Sequence, residues 1–168
     1  MKLKLAIVSM GLVLAAGIPA VSSAEESNAY RDISAHYEAI RLALVDDSLA
    51  DVADHARAIE HRVHELAKDF DAKSAGVPAE KSAECKDLLP EAASAAAALA
   101  EKESLDGARE ALFELSKPMG RYRKLAGIEG TTVVFCSMAK KAWIQPPGEI
   151  GNPYMGEAMP TCGEVIAD

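Results

Sequence analysis

The chain has 168 residues, a net charge of −8 and 49% hydrophobic side chains, enough apolar material for the core of one domain. DNA and anionic membrane surfaces both require clustered Lys/Arg, so an acidic chain of this kind is set aside as a nucleic-acid or membrane-surface binder.

The first two dozen residues read as an export leader. Lys2 and Lys4 form a basic start, Leu5 to Ile18 is an almost unbroken apolar run, and Pro19 ends it. Ser22, Ser23 and Ala24 supply the small residues that a signal peptidase reads. The run is too short to span a bilayer, which takes about 20 apolar residues. Residues 1–24 are therefore expected to be cleaved, leaving a periplasmic protein with no membrane insertion. Loss of Lys2 and Lys4 moves the charge from −8 to −10.

From Tyr30 the pattern is helical. Ile33, Tyr37, Ile40 and Leu44 form one stripe, and Asp46-Asp47-Ser48 is expected to end it and cap the next helix. Leu49, Val52, Ala56, Ile59, Val63, Leu66 and Phe70 alternate spacings of 3 and 4, which predicts a second helix stopping before Gly76-Val77-Pro78. A third should open near Pro78 or Ala79 on a seam of Cys85, Leu89, Ala92, Ala96 and Leu99, kinked or divided at Pro90. Leu105-Asp106-Gly107 reads as a turn. A fourth helix then carries Leu105, Ala108, Leu112, Leu115, Met119 and Tyr122, with a bend at Pro118.

Four amphipathic helices with short connections predict an all-α fold, an antiparallel four-helix bundle. It would span residues 25–127 and carry residues 128–168 as a strand-and-loop segment packed on it, within one domain. Thr131 to Phe135 is β-branched and aromatic, the composition of a short strand, and it leads into Cys136.

The segment from Phe135 to Gly163 holds two of the three cysteines, three of the six methionines, the only tryptophan and four of the eight prolines. It has no amphipathic period. Thiolate and thioether donors select monovalent copper over harder ions. An extended Cys136-Ser137-Met138 would put two sulfurs on one side of a strand. Met155, Met159 and Cys162, spaced by 4 and 3, would align on one helical turn. The candidate ligands for copper(I) or silver(I) are therefore Cys136, Cys162 and Met159, with Met138 or Met155.

The same segment resembles exported bacterial domains of formally unknown function, found alone or appended to periplasmic adaptor proteins of heavy-metal efflux pumps. Their hallmark is a Cys-Pro-Met stretch, a Trp-Leu-Gln stretch, Ile-x-Asn-Pro-Tyr-x-Gly, a methionine and a final Cys-Gly. Here those positions read Cys136-Ser137-Met138, Trp143-Ile144-Gln145, Ile150-Gly151-Asn152-Pro153-Tyr154, Gly156, Met159 and Cys162-Gly163. The helical part, from His36-Tyr37 to the Leu115-Ser116 region, is similar in pattern. Ser137 replaces the usual proline, and Met155 stands where a second tyrosine often sits, adding a thioether. The resemblance implies periplasmic copper or silver binding, with an efflux adaptor or a copper chaperone as partner.

Other readings stand beside this one. Exported cysteines usually pair, so Cys136 and Cys162 can equally form a structural disulfide that holds a docking loop for a non-metal interaction module. Cys85 and Met119 fall on apolar seams and read as core. Trp143 reads as packing the loop onto the helices. His61 and His64 lie opposite the seam of the second helix, where exposed histidines usually hold nothing, while His36 and His55 flank their seams and can line a groove. A b-type haem finds few aromatic residues to hold it, at 5% of the chain. No Ser/His/Asp arrangement or phosphate-binding glycine loop points to an enzyme.

Overall fold

A computed structural model describes residues 29–127 and 130–166. The expected leader at 1–24 lies outside them. The fold is dominated by helices, with a small antiparallel sheet at the C-terminal end. Helices α1 (Ala29–Val45), α2 (Val52–Lys68), α4 (Ser82–Ala100) and α5 (Leu105–Ala126) are long, and α3 (Ala72–Ala75) is a single turn. α2 packs on α1 and on α4, α4 on α5, and α1 touches α5, so the four long helices close on one another.

The seams meet in the core as their spacing predicts. Ile33, Tyr37, Ile40 and Leu44 from α1 join Val52, Ala56, Ile59, Val63 and Leu66 from α2, all essentially solvent-free. Burying each large apolar side chain contributes roughly 1.5–3 kcal/mol. Ala92, Ala93 and Ala96 let α4 sit between α2 and α5. Cys85 and Met119 are fully buried, and burial pushes the Cys85 thiol up to about 11.

Several boundaries differ from expectation, each for a local reason. Leu49 lies outside α2, whose N-cap is Asp51 in a left-handed conformation without a side-chain cap. Ser48 accepts from the Ala50 N–H at 3.0 Å instead of capping the helix. α2 stops at Lys68, leaving Phe70 beyond it, and Asp71 caps α3 through the Ser74 N–H at 2.8 Å. Neither helix-internal proline divides its helix. Pro90 and Pro118 remove the N–H partners of the Lys86 and Glu114 carbonyls, and both of those residues are exposed to water. Ser104 caps α5 through the Gly107 N–H at 3.2 Å, so Leu105-Asp106-Gly107 is a first helical turn and not a loop. Gly127, in the left-handed region at φ 61°, ends α5.

The predicted strand is present as β1 (Thr132–Cys136), but it has two unpredicted partners. β2 (Lys141–Gln145) and β3 (Glu164–Ile166) flank it in the order β2-β1-β3, both antiparallel. Register pairs Cys136 with Lys141, Val134 with Trp143 and with Val165, and Phe135 with Glu164. The single strand expected from the sequence is therefore the centre of a sheet, and β2 packs on α5. Among the described residues no helix is long and apolar enough to cross a membrane.

Candidate metal centre

The C-terminal segment is held on the helices by three arginines, each reaching backbone oxygen. Arg123 of α5 donates to the Thr131 carbonyl at 2.7 Å and to its hydroxyl at 2.9 Å, fixing the start of β1. Arg41 of α1 donates to the Gly151 carbonyl at 2.7 Å while Glu38 accepts from it twice, at 2.6 and 2.7 Å. Arg109 of α5 donates to the Pro153 carbonyl at 2.9 Å and pairs with Asp47. Carbonyls that lie against the helices find no donor within the loop, and these guanidinium groups supply it.

Beneath the loop, Tyr37 donates to the Ser116 hydroxyl at 2.6 Å, and Ser116 lies 3.2 Å from the Tyr154 hydroxyl. Tyr154 donates in turn to the Ala142 carbonyl at 2.8 Å. Burial raises Tyr37 to about 12 and carries Tyr154 well above its ordinary value, so both phenols stay neutral donors. Trp143 is 1% exposed and meets the Tyr154 ring edge-on, with its indole N–H held by Gln145 at 2.9 Å. It packs the loop, as its composition predicts.

Gly156 shows how closely the loop approaches. Its φ is +52°, and a Cβ there would overlap both Asp47 and Arg109. Gly156→Ala is expected to cost about 2 kcal/mol, from left-handed strain and the displaced ion pair together. A urea-denaturation midpoint unchanged from wild type would show that the loop is looser than this.

The two cysteines meet. Cys136 Sγ and Cys162 Sγ are 2.7 Å apart, with Cys136 fully buried at the end of β1 and Cys162 half-buried. Asn152 makes this possible. It is fully buried, accepts from the Tyr154 and Met155 N–H groups at 2.8 and 3.1 Å, and donates to the Cys162 carbonyl at 2.6 Å. Its own N–H donates to the Pro160 carbonyl at 2.6 Å.

Burial opposes ionisation of Cys136, but hydrogen bonds from the Cys162 thiol, the Ala139 and Met138 N–H groups and the Asn152 side chain outweigh it. Its thiol is held below the usual cysteine range. Cys162 goes the other way, raised by its bond to Cys136, by burial and by the charge on its neighbour. The two shifts run in opposite directions, so Cys136 is the more readily ionised of the two sulfurs.

The methionines are arranged differently from expectation. β1 ends at Cys136, so Met138 sits in the tight turn to β2 and not on an extended strand beside the cysteine. It is 67% exposed. Met155, Met159 and Cys162 do not share a helical turn, because only Gly156–Ala158 forms a short 3₁₀ turn. Met155 is half-buried against the core, and Met159 is 39% exposed at the end of that turn. The Cys162 N–H donates to the Met159 carbonyl at 3.2 Å, so Met159 positions the cysteine through its backbone. Among the described residues no three His, Cys, Asp or Glu side chains converge on one point.

Of the histidines, His61 is exposed and 3.6 Å from Glu65, and His64 is exposed. His36 and His55 meet across α1 and α2, as their places beside the two seams allow.

A family model described as a protein of unknown function (DUF3347) matches residues 33–131. The match runs from Ile33 within α1 through the remaining helices and ends just before β1, so Cys136 and Cys162 lie beyond it. No curated protein and no solved structure matches the chain.

Proposed function

The chain belongs to the DUF3347 family of proteins of unknown function, and within it we propose that this member binds copper(I), or silver(I), in the periplasm. It buffers the ion or hands it to an efflux adaptor or copper chaperone. The four long helices serve as an antiparallel bundle that carries the site and take no part in the chemistry.

One observation carries the reading: the Cys136 and Cys162 sulfurs stand 2.7 Å apart with the Cys136 thiol drawn down toward its ionised form. A thiolate is the form that ligates a soft metal. Metal–thiolate bonds of about 2.3 Å place two sulfurs roughly 4 Å apart, so loading requires the pair to open by about 1 Å. Each cysteine adjoins a turn, Ser137–Lys140 on one side and Met159–Cys162 on the other, where such a shift is least costly. Third donors are the thioethers of Met159 and Met138, which solvent reaches. Copper(I) is cargo here, and it is bound by thiolates, so loading releases the protons that the two thiols hold.

The test is competition of the reduced, anaerobic protein against a copper(I)-specific chelator, with one tightly held ion per chain as the expected result. A second reading is favoured by the sulfurs standing closer than an ion between them would allow. In it the pair is a structural disulfide that holds the loop as a docking surface for a protein partner. Reduced protein that fails to compete with the chelator selects this second reading.

Export is tested separately. Cleavage after Ala24 makes Glu25 the first residue of the mature protein, and an intact mass retaining residues 1–24 in the exported form would refute it.

A further inference from the structure

The geometry points to a second metal site, formed by His36 of α1 and His55 of α2, for a divalent first-row cation of the copper(II) or zinc class. It is separate from the cysteine pair and independent of the copper(I) reading. The two Nδ1 atoms face each other at 3.0 Å, with ring centroids 5.2 Å apart and planes tilted by 45°. At metal–imidazole bonds of about 2.0–2.1 Å, two nitrogens on a tetrahedral ion lie roughly 3.3 Å apart. The helices therefore need to part by only a few tenths of an ångström. Imidazole nitrogen suits borderline divalent ions, where the thiolate pair suits monovalent copper.

The proton inventory also closes. In the hydrogen-bonded pair one Nδ1 carries a proton and the other accepts it. When an ion enters, that proton moves to Nε2 of the same ring, both Nδ1 lone pairs turn to the metal, and no proton need leave the protein.

A groove that His36 helps to line, with Asp32, Ala35, Ala58, His61 and Arg62, opens to solvent. Arg62 does not repel an incoming cation strongly, because Asp32 at 3.3 Å and Glu65 at 3.6 Å neutralise its guanidinium. No third His, Cys, Asp or Glu joins the pair among the described residues. Water completes the coordination, as in open sites.

The experiment is thermal unfolding of the full mature protein with and without zinc(II) or copper(II), since a ligand that binds only the folded state raises the midpoint. The rise is expected in wild type and in the His61→Ala/His64→Ala variant, and should vanish in His36→Ala and in His55→Ala. No rise in wild type, or a rise that survives both single changes, overturns the site. Should the single variants fail to fold, pulsed electron spin resonance of copper(II)-loaded wild type decides. Two coordinated imidazoles support the site, and one or none overturns it. The Cys136→Ser/Cys162→Ser variant must keep the divalent response while losing copper(I), so failure of either proposal is seen separately.

Discussion

Copper(I) affinity is expected to fall at least a thousandfold when either Cys136 or Cys162 becomes serine. A single thiolate with exposed thioethers is a far weaker soft-donor set than a pair, and a thousandfold is about 4 kcal/mol of binding. Both losses should be equal, because each cysteine is useless to the ion without the other. Met138→Leu and Met159→Leu keep apolar bulk and remove one thioether each, so affinity should drop about tenfold, or about 1.4 kcal/mol, without loss of fold. Met155 is half-buried against the core, and Met155→Leu is expected to change little. Cys85→Ser puts a hydroxyl into a fully buried apolar seam, so it should lower stability and leave the metal alone. The measurement is chelator competition on reduced protein. If wild type competes no better than the double serine variant, the copper reading fails and the disulfide-held loop replaces it.

Asn152→Leu is expected to destabilise the protein by about 3 kcal/mol, although the new side chain has the same number of heavy atoms and the same branching. The change strips partners from the Tyr154 and Met155 N–H groups and from the Cys162 carbonyl. A buried polar group left without a partner costs roughly 1–3 kcal/mol. Partial access of water to the loop keeps the sum below the simple total. The functional effect should be larger than the stability effect, because the carbonyl that Asn152 grips belongs to Cys162. Copper(I) binding should weaken in protein that is still folded by its helices. Asn152→Asp preserves both acceptor contacts but buries a carboxylate against the Cys162 carbonyl, so at neutral pH it should destabilise the loop as well. A urea midpoint for Asn152→Leu within error of wild type would show that the loop is held by its arginines alone.

The helical seams were legible in the sequence because burial of one face imposes the 3 and 4 spacing directly, and Ile33 to Leu44 and Val52 to Leu66 are buried in that pattern. Helix ends were less legible. Asp47 reads as a cap but is engaged by Arg109, a contact between residues far apart in sequence. β2 was hidden because Lys141 to Gln145 lies among turn residues and takes its strand form from pairing with β1. β3 is exposed at all three residues, so it shows no alternation to read. The cysteine pair could be anticipated from composition, since two of the three cysteines lie in this segment. The scattering of the methionines could not, because the turn at Ser137–Lys140 depends on the register of the hairpin. The arginine anchors were missed for a physical reason. Arg41, Arg109 and Arg123 adjoin the seam residues Ile40, Ala108 and Tyr122, and a charge at the edge of a stripe ordinarily faces water. What marks them is the oxygen-rich, donor-poor loop that needs them.

The sheet order β2-β1-β3 also sets a timetable for the folding chain. β1 and β2 are joined by a short turn, and a hairpin of that kind closes in microseconds. β3 must wait until the whole loop beyond Gln145 has been laid down and clasped, because it pairs with the far side of β1. Through that interval Cys136 is already at the end of a formed strand while Cys162 is still far away. For a brief period it is a lone, accessible thiol. Any oxidant, small thiol or soft metal ion present during that interval meets Cys136 before Cys162 does.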